Sequence, residues 1–301
     1  MRRPRRSLAR VVLTCAGASA VVLAPISCTS ASTPPPVDAG ADAGFGVSTR
    51  DAAGDGASDG RVDRLVYHGG PTLKQMRLRI VYIGEDGVDA APNVDDFATW
   101  LLTSSWWRLL REYGIEEGSL DPSVRVPFAA MFPPGVVVDG LVHTTEFDKR
   151  VLALLHPIKP DAGAPDAGDA GAAFDGGSLV PTSDSYLFML PNGVNISLGE
   201  VGSRTFQTCI DSGGYHAHDG LDAYAVIPPC RTGRSALTLS HEIAEVATNP
   251  SVVDGWFSDN EADRKLGVEI ADVCNTPVPR GVDGWLVTQL WSNVEGRCVP
   301  Q

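Results

Sequence analysis

The residues best suited to chemistry are His241, Glu242 and Glu245, which stand within five consecutive positions of the chain. His241 and Glu245 are four residues apart, so on a helix their side chains lie on the same face, one turn apart. Imidazole nitrogens and carboxylate oxygens are both ligands that zinc accepts in proteins. The spacing therefore predicts that His241 and Glu245 form the first half of a zinc site.

Glu242 stands where the HExxH pattern of zinc peptidases has its general base, although the pattern here is HExxE. A carboxylate at that position can take a proton from a water molecule that attacks a carbonyl carbon. The alternative is an ordinary amphipathic helix with solvated glutamates. The surrounding segment 237–247 is otherwise nearly apolar, which is typical of a buried helix, and buried carboxylates need a partner. We therefore favour the metal site.

A third metal ligand must come from outside this helix, and two residues are candidates. Glu269 lies in an apolar run and resembles the downstream glutamate ligand of gluzincins. His216 follows Gly-Tyr near Cys209 and is the alternative ligand. Asp272, three residues after Glu269, is predicted to orient His241 by a hydrogen bond to its imidazole, without contacting the metal itself.

Four cysteines lie in the C-terminal third of the chain: Cys209, Cys230, Cys274 and Cys298. An even number in an exported protein predicts two disulfides. Among three possible connectivities we favour Cys209–Cys230 and Cys274–Cys298, because each closes a local loop. A cysteine-based zinc site is the weaker alternative, since no CxxC spacing occurs.

The N-terminus predicts export. A basic start precedes an apolar run over 11–26, so residues 1–27 are interpreted as a signal peptide. Cys28 follows a small residue in a string that resembles a lipobox, although Pro25 stands where leucine is usual. We expect a bacterial cell-envelope lipoprotein or a secreted protein, with membrane contact only through a lipid on Cys28.

Low-complexity composition divides the rest of the chain. Residues 28–61 are rich in Ser, Thr, Pro, Ala, Gly and Asp and predict a disordered tether. Similar Asp-Ala-Gly repeats predict a disordered insertion loop over 160–179. The folded domain is therefore expected over 62–301.

The predicted strands and helices, which must position the site, are mixed along the chain without a regular repeat. Period-two and period-3.6 patterns predict strands over 78–83, 185–190, 223–227 and 285–291, and helices over 95–113, 144–156 and 234–248. We predict one mixed α/β (α+β) domain, zincin-like, with a mixed sheet and a buried metal-site helix.

The formal net charge of −13 argues against nucleic acid as a partner, because an acidic surface repels phosphates. An acidic run within 254–263 suggests calcium binding as a further function. Its irregular spacing, however, favours a solvated loop. We expect a monomer whose partner is a peptide or a cell-surface polymer.

Five strings, read in order, resemble the phosphate-induced protein family, also called the Exordium family. They are Tyr67–Pro71, Ser104–Trp107, Cys209 with Gly214–His216, Ser240–Pro250 and Glu269–Cys274. The resemblance implies secretion, supports the motif helix and the Glu269–Cys274 segment as one unit, and implies that Cys274 pairs with Cys298. The Asp-Ala-Gly insertion and a shortened stretch after Cys274 depart from the family.

Two functions follow as hypotheses. The first is a zinc-dependent hydrolase, most simply a metallopeptidase in which Glu242 is the base. The second is a non-catalytic extracellular or cell-surface binding protein of the Exordium type, with a structural metal or none.

Overall fold

The computed structural model describes residues 64–84, 94–157, 180, 183–201, 204–218, 222–230, 235–260, 268–274 and 280–300. All of them belong to one compact unit, Gly44–Gln301. The predicted signal peptide, Cys28, the tether over 28–61 and the insertion over 160–179 lie outside the described residues.

Four α-helices occur in the described ranges: α1 Val94–Leu101, α2 Phe128–Met131, α3 Thr144–Leu155 and α4 Ser235–Thr248. The strands of the first half are β1 Leu65–Tyr67, β2 Arg77–Ile83, β3 Ser119–Val126, β4 Leu141–His143, β5 Ser185–Met189, β6 Asn195–Val201 and β7 Arg204–Gln207. Those that follow are β8 Tyr215–His218, β9 Ala223–Ile227, β10 Trp256–Ser258, β11 Arg280–Val282, β12 Trp285–Val287, β13 Leu290–Ser292 and β14 Arg297–Val299.

The main sheet has five strands in the order β3-β2-β5-β9-β8. The first four are parallel, and β8 runs antiparallel to β9 at the edge. The central strands β5 and β9 are buried at every residue, which explains their nearly continuous apolar sequences. Helices and mixed sheets together confirm the predicted mixed α/β class.

Alternation along the strands separates two hydrophobic cores, one on each face of this sheet. Ala225 and Ile227 of β9 face the core that contains α1 and α4. Tyr224 and Val226 of the same strand face the core that contains α3. Helix α4, which carries His241, Glu242 and Glu245, therefore packs on the face opposite α3.

The predicted helix over 95–113 is wrong in its second half, since α1 ends at Leu101 and a 3₁₀ helix covers Trp107–Tyr113. Ser104 explains the break. Its hydroxyl donates to the Leu101 carbonyl at 2.8 Å and accepts from the Trp107 amide at 3.1 Å. These local bonds compete with the helical pattern.

The predicted strand over 285–291 is two strands, β12 and β13. Between them the Thr288 amide donates to the Ser240 hydroxyl of α4 at 2.9 Å. The Thr288 carbonyl accepts from the Trp106 indole at 2.7 Å. The amide and carbonyl of Thr288 are therefore used in hydrogen bonds to Ser240 and Trp106, and the strand is interrupted at this residue.

Helix α4 ends where the sequence predicts, at Thr248 before Asn249-Pro250. The Asn249 amide closes the last turn by donating to the Glu245 carbonyl at 2.7 Å. Pro250 has no amide hydrogen with which to continue the helix. Within the described ranges, none of the helices combines the length and apolarity needed to cross a bilayer.

Candidate metal centre

Helix α4 buries the acidic residues of its motif. The side chains of Glu242 and Glu245 are 1% and 0% exposed, whereas that of His241 is 13% exposed. The alternative of solvated glutamates on an amphipathic helix is therefore wrong. A buried pair of carboxylates on one helix requires compensating groups from elsewhere in the fold.

Three residues form what we call the outer triad: His241, Glu245 and Asp272. Nε2 of His241 lies 3.2 Å from Oε2 of Glu245 and 3.5 Å from Oδ1 of Asp272. One imidazole nitrogen thus meets a carboxylate oxygen from its own helix and another from the 3₁₀ helix Asp272–Cys274. This triad reaches solvent through the partly exposed His241.

A second group, the inner triad, consists of His216, Glu242 and Glu245. Nδ1 of His216 lies 3.4 Å from Oε2 of Glu242 and 3.5 Å from Oε2 of Glu245. His216 comes from the edge strand β8, and its side chain is fully buried. The two triads therefore share Glu245.

Glu269 belongs to neither triad but contacts the inner one from the far side. Its Oε2 lies 3.4 Å from Nε2 of His216. Its Oε1 accepts a hydrogen bond from the side-chain amide of Asn249. Glu269 therefore lies beside Nε2 of His216, whereas Nδ1 faces the carboxylates of α4.

The backbone around Glu269 and Asp272 is anchored from both sides. The Ser258 amide donates to the Val268 carbonyl at 3.1 Å, and the Trp291 amide donates to the Ile270 carbonyl at 3.0 Å. Oδ2 of Asp272 accepts from the Glu269 amide at 3.3 Å, which leaves Oδ1 turned toward His241. Tertiary hydrogen bonds, not local propensity, place both acids against α4.

Two disulfides tie the contributing segments down. Cys209–Cys230 spans the hairpin of β8 and β9, and Cys274–Cys298 fixes the segment that carries Asp272. Both predicted pairings are confirmed. Disulfides persist in oxidising compartments, so they indicate an exported environment.

The spacing of the donor atoms fits a divalent cation. With ligand bonds of about 2.0–2.1 Å, two ligands of a tetrahedral ion are about 3.3–3.4 Å apart. The nitrogen–oxygen distances within the triads are 3.2–3.5 Å. Direct hydrogen bonds between such groups would be shorter, near 2.8 Å. These nitrogen–oxygen distances fit ligands of one ion as well as long direct hydrogen bonds.

Several of these buried atoms have no hydrogen-bond partner among the described residues. They include both ring nitrogens of His216, both carboxylate oxygens of Glu245 and Oε2 of Glu269. Buried polar atoms in folded proteins are nearly always hydrogen-bonded or bound to an ion. The buried His and Glu groups of this site could therefore hold a metal ion.

Burial and mutual charge shift the protonation of the cluster. Burial raises the pKa of Glu245 well above its usual value; His241 opposes the shift and Asp272 adds to it. Burial disfavours the charged form of His216, but the surrounding carboxylates, Glu269 first, outweigh it and raise its pKa well above the usual value. Both shifts favour the protonated form, so Glu245 and His216 hold their protons more tightly than these groups usually do.

The structure brings all six predicted site residues of this cluster together, in a different arrangement from the predicted one. His216 and Glu269 were alternatives for one position, yet both are present. Asp272 was expected behind His241, but its Oδ1 faces the same nitrogen as Glu245 does. Asp272 therefore joins the possible ligands.

Asn249 is a functional candidate that the sequence analysis did not single out, because it follows the predicted end of the helix over 234–248. It stands four residues after Glu245, so the helical spacing that picked out His241 and Glu245 also reaches Asn249. Extending the four-residue helical spacing by one more turn would have identified Asn249.

The comparisons with known proteins identify no relative: no family model, no curated protein and no solved structure matches the chain. Membership of the Exordium family stays a prediction.

Proposed function

We propose that this protein is an exported zinc-dependent hydrolase, and specifically a metallopeptidase of zincin-like architecture. The observation that carries the proposal is the outer triad. It offers three ligand atoms from His241, Glu245 and Asp272, and His241 is the member that reaches solvent. Three protein ligands with one open position are characteristic of catalytic zinc sites, whereas structural sites are closed.

The donor set favours zinc over calcium and magnesium. One imidazole nitrogen and two carboxylate oxygens are ligands that zinc binds readily. Calcium and magnesium prefer sites made only of oxygen atoms. A zinc ion held there would polarise a substrate carbonyl. It would also lower the pKa of the water bound to it, so that hydroxide forms near neutral pH.

Glu242 is proposed as the general base. It follows His241 directly on α4, and its Oε2 is held 3.4 Å from Nδ1 of His216. From this position its carboxylate would accept the proton of the attacking water and pass it to the leaving amine. Burial at 1% exposure keeps bulk water away from this transfer.

The alternative is a non-catalytic cell-surface binding protein with a structural metal. The complete burial of the inner triad favours it, because closed sites are structural. Under either function we propose lipidation at Cys28 or secretion after cleavage, a monomeric state, and a peptide or cell-surface polymer as partner.

Hydrolysis of a mixed peptide library by the full chain loaded with one equivalent of zinc tests the proposal. We expect Glu242→Gln to lower the rate by about 10²–10⁴-fold, because that is what one general base contributes. The matched control is Glu117→Gln, the same change at a residue whose side chain is 51% exposed. Equal rates in wild type and Glu242→Gln would remove Glu242 from the mechanism, and no hydrolysis of any peptide by wild type would favour the binding protein.

A further inference from the structure

The inner triad is a complete donor set that the proposed hydrolase uses only through two of its members. His216, Glu242 and Glu245 offer one nitrogen and two oxygens within 4.8 Å of one another. All three side chains are at most 1% exposed. The outer triad, by contrast, includes the partly exposed His241.

His216 and Glu245 provide an observation independent of this proximity. Neither ring nitrogen of His216 and neither carboxylate oxygen of Glu245 has a hydrogen-bond partner among the described residues. Nδ1 of His216 nevertheless points at the inner carboxylates, at 3.4 and 3.5 Å. An imidazole so deeply buried and so directed is arranged as a ligand.

Glu245 is able to serve two cations at once. Its Oε2 lies between the two histidines, 3.2 Å from His241 and 3.5 Å from His216, while Oε1 is a second donor. A carboxylate with both oxygens available can bridge two ions, and two-metal sites hold their ions about 3.5–4 Å apart. The shared residue therefore joins the two triads instead of making them exclude each other.

The charge of the cluster also exceeds what one cation neutralises. Glu242, Glu245, Glu269 and Asp272 are four carboxylates gathered around two imidazoles. Four ionised carboxylates carry twice the charge of one divalent ion. Uncompensated charges in a buried site are costly, so a second cation would be favoured once the first is bound.

We propose that the inner triad is a second divalent-cation site, bridged to the outer site by Glu245, and that its occupancy inhibits the enzyme. The inhibition rests on the proposed function, because a cation held by Glu242 occupies the oxygen that would accept the proton from water. The first equivalent of zinc would then activate the protein and the second would silence it.

Calorimetric titration of the metal-depleted full chain with zinc chloride, with metal analysis after dialysis, tests this site. We expect two equivalents in wild type and one in His216→Gln. The matched control is His218→Gln, the same change two residues along β8 and outside both triads, which should keep two. The rate of peptide hydrolysis by wild type should fall at least about 10²-fold as the second equivalent binds, since the base is lost.

The outcomes separate this inference from the function on which it rests. One equivalent in wild type, with hydrolysis retained, would overturn the inner site and leave the hydrolase standing. No bound zinc in wild type would overturn both. Two equivalents in a folded His216→Gln would place the second ion elsewhere and overturn the assignment. If His216→Gln does not fold by circular dichroism, the stoichiometry and inhibition of wild type decide.

Discussion

A single buried carboxylate and a buried cluster of carboxylates lie on opposite faces of the same sheet, and they differ in whether the fold supplies hydrogen-bond donors. On the face covered by α3, Asp148 accepts hydrogen bonds from the hydroxyls of Tyr224 at 2.8 Å and Tyr215 at 3.1 Å. On the face covered by α4, Glu245 has no hydrogen-bond partner among the described residues for either oxygen. Both side chains are almost completely buried.

Adjacent residues of one strand make this difference. Tyr215 and His216 follow each other on β8, and strand alternation sends them to opposite faces of the sheet. Tyr215 gives Asp148 a neutral hydroxyl donor, so that site is complete within the fold. His216 faces three carboxylates and has no hydrogen-bond partner among the described residues, so that site could hold a cation. Buried charge alone does not indicate a ligand site; buried charge without internal donors does.

The largest effect should come from removing the residue that both triads share. We expect zinc at about 1,000 times its Kd to stabilise wild type by about 4 kcal/mol, because the ion binds only the folded state. Glu245→Gln should lose this stabilisation, since it removes one charged ligand from each triad. Thermal unfolding with and without zinc measures it, and Glu117→Gln is the control. Undiminished stabilisation in Glu245→Gln would place the zinc outside the cluster.

The Asp148 site should respond to pH instead of zinc. Burial raises the pKa of Asp148 from 3.8 to about 6, against the opposing hydrogen bonds from Tyr224 and Tyr215. The folded state therefore holds the proton more tightly, and stability present below about pH 4 is lost as the pH rises to about 6. The loss amounts to at most about 3 kcal/mol in the free energy of unfolding.

Asp148→Asn should remove this pH dependence, because the amide does not titrate. Urea unfolding at pH 4 and pH 7 compares the variant with wild type, and Asp139→Asn is an exposed control of the same chemistry. Identical pH profiles in wild type and Asp148→Asn would contradict the assignment.

The smallest effect concerns one hydroxyl. Tyr224→Phe removes the 2.8 Å hydrogen bond to Asp148 and should cost about 1.5 kcal/mol of stability, as bonds to charged groups do. Tyr215→Phe removes the longer bond and should cost less. Neither should alter zinc binding. A change in zinc stoichiometry in Tyr224→Phe would show that the two faces of the sheet are coupled.

The elements around the site were largely predictable, because each has a strong local pattern. The all-buried strands β5 and β9 and the helix α4 occur where apolar runs and the Asn249-Pro250 stop place them. The errors came from polar groups with long-range or competing bonds. The Ser104 hydroxyl ends α1 early, and Thr288 divides the last predicted strand by bonding α4.

The site was predictable in its members but not in its arrangement. Helical spacing relates His241 to Glu245 and nothing beyond α4. Whether His216 or Glu269 approaches that face depends on the pairing of β8 and on the bonds that anchor 268–274. Sequence spacing contains neither, so it could not show that both residues arrive or that Asp272 turns toward Nε2 of His241.

The central claim is that His241, Glu245 and Asp272 hold a divalent cation at the side of the buried cluster where His241 is partly exposed. X-ray absorption at the zinc edge, on full chain loaded with one equivalent, tests it most directly. The account predicts a first shell of nitrogen and oxygen only, at about 2.0–2.1 Å and including imidazole, that changes in Asp272→Asn. Sulfur neighbours at about 2.3 Å, or a spectrum of hydrated zinc identical in wild type and Asp272→Asn, would contradict it.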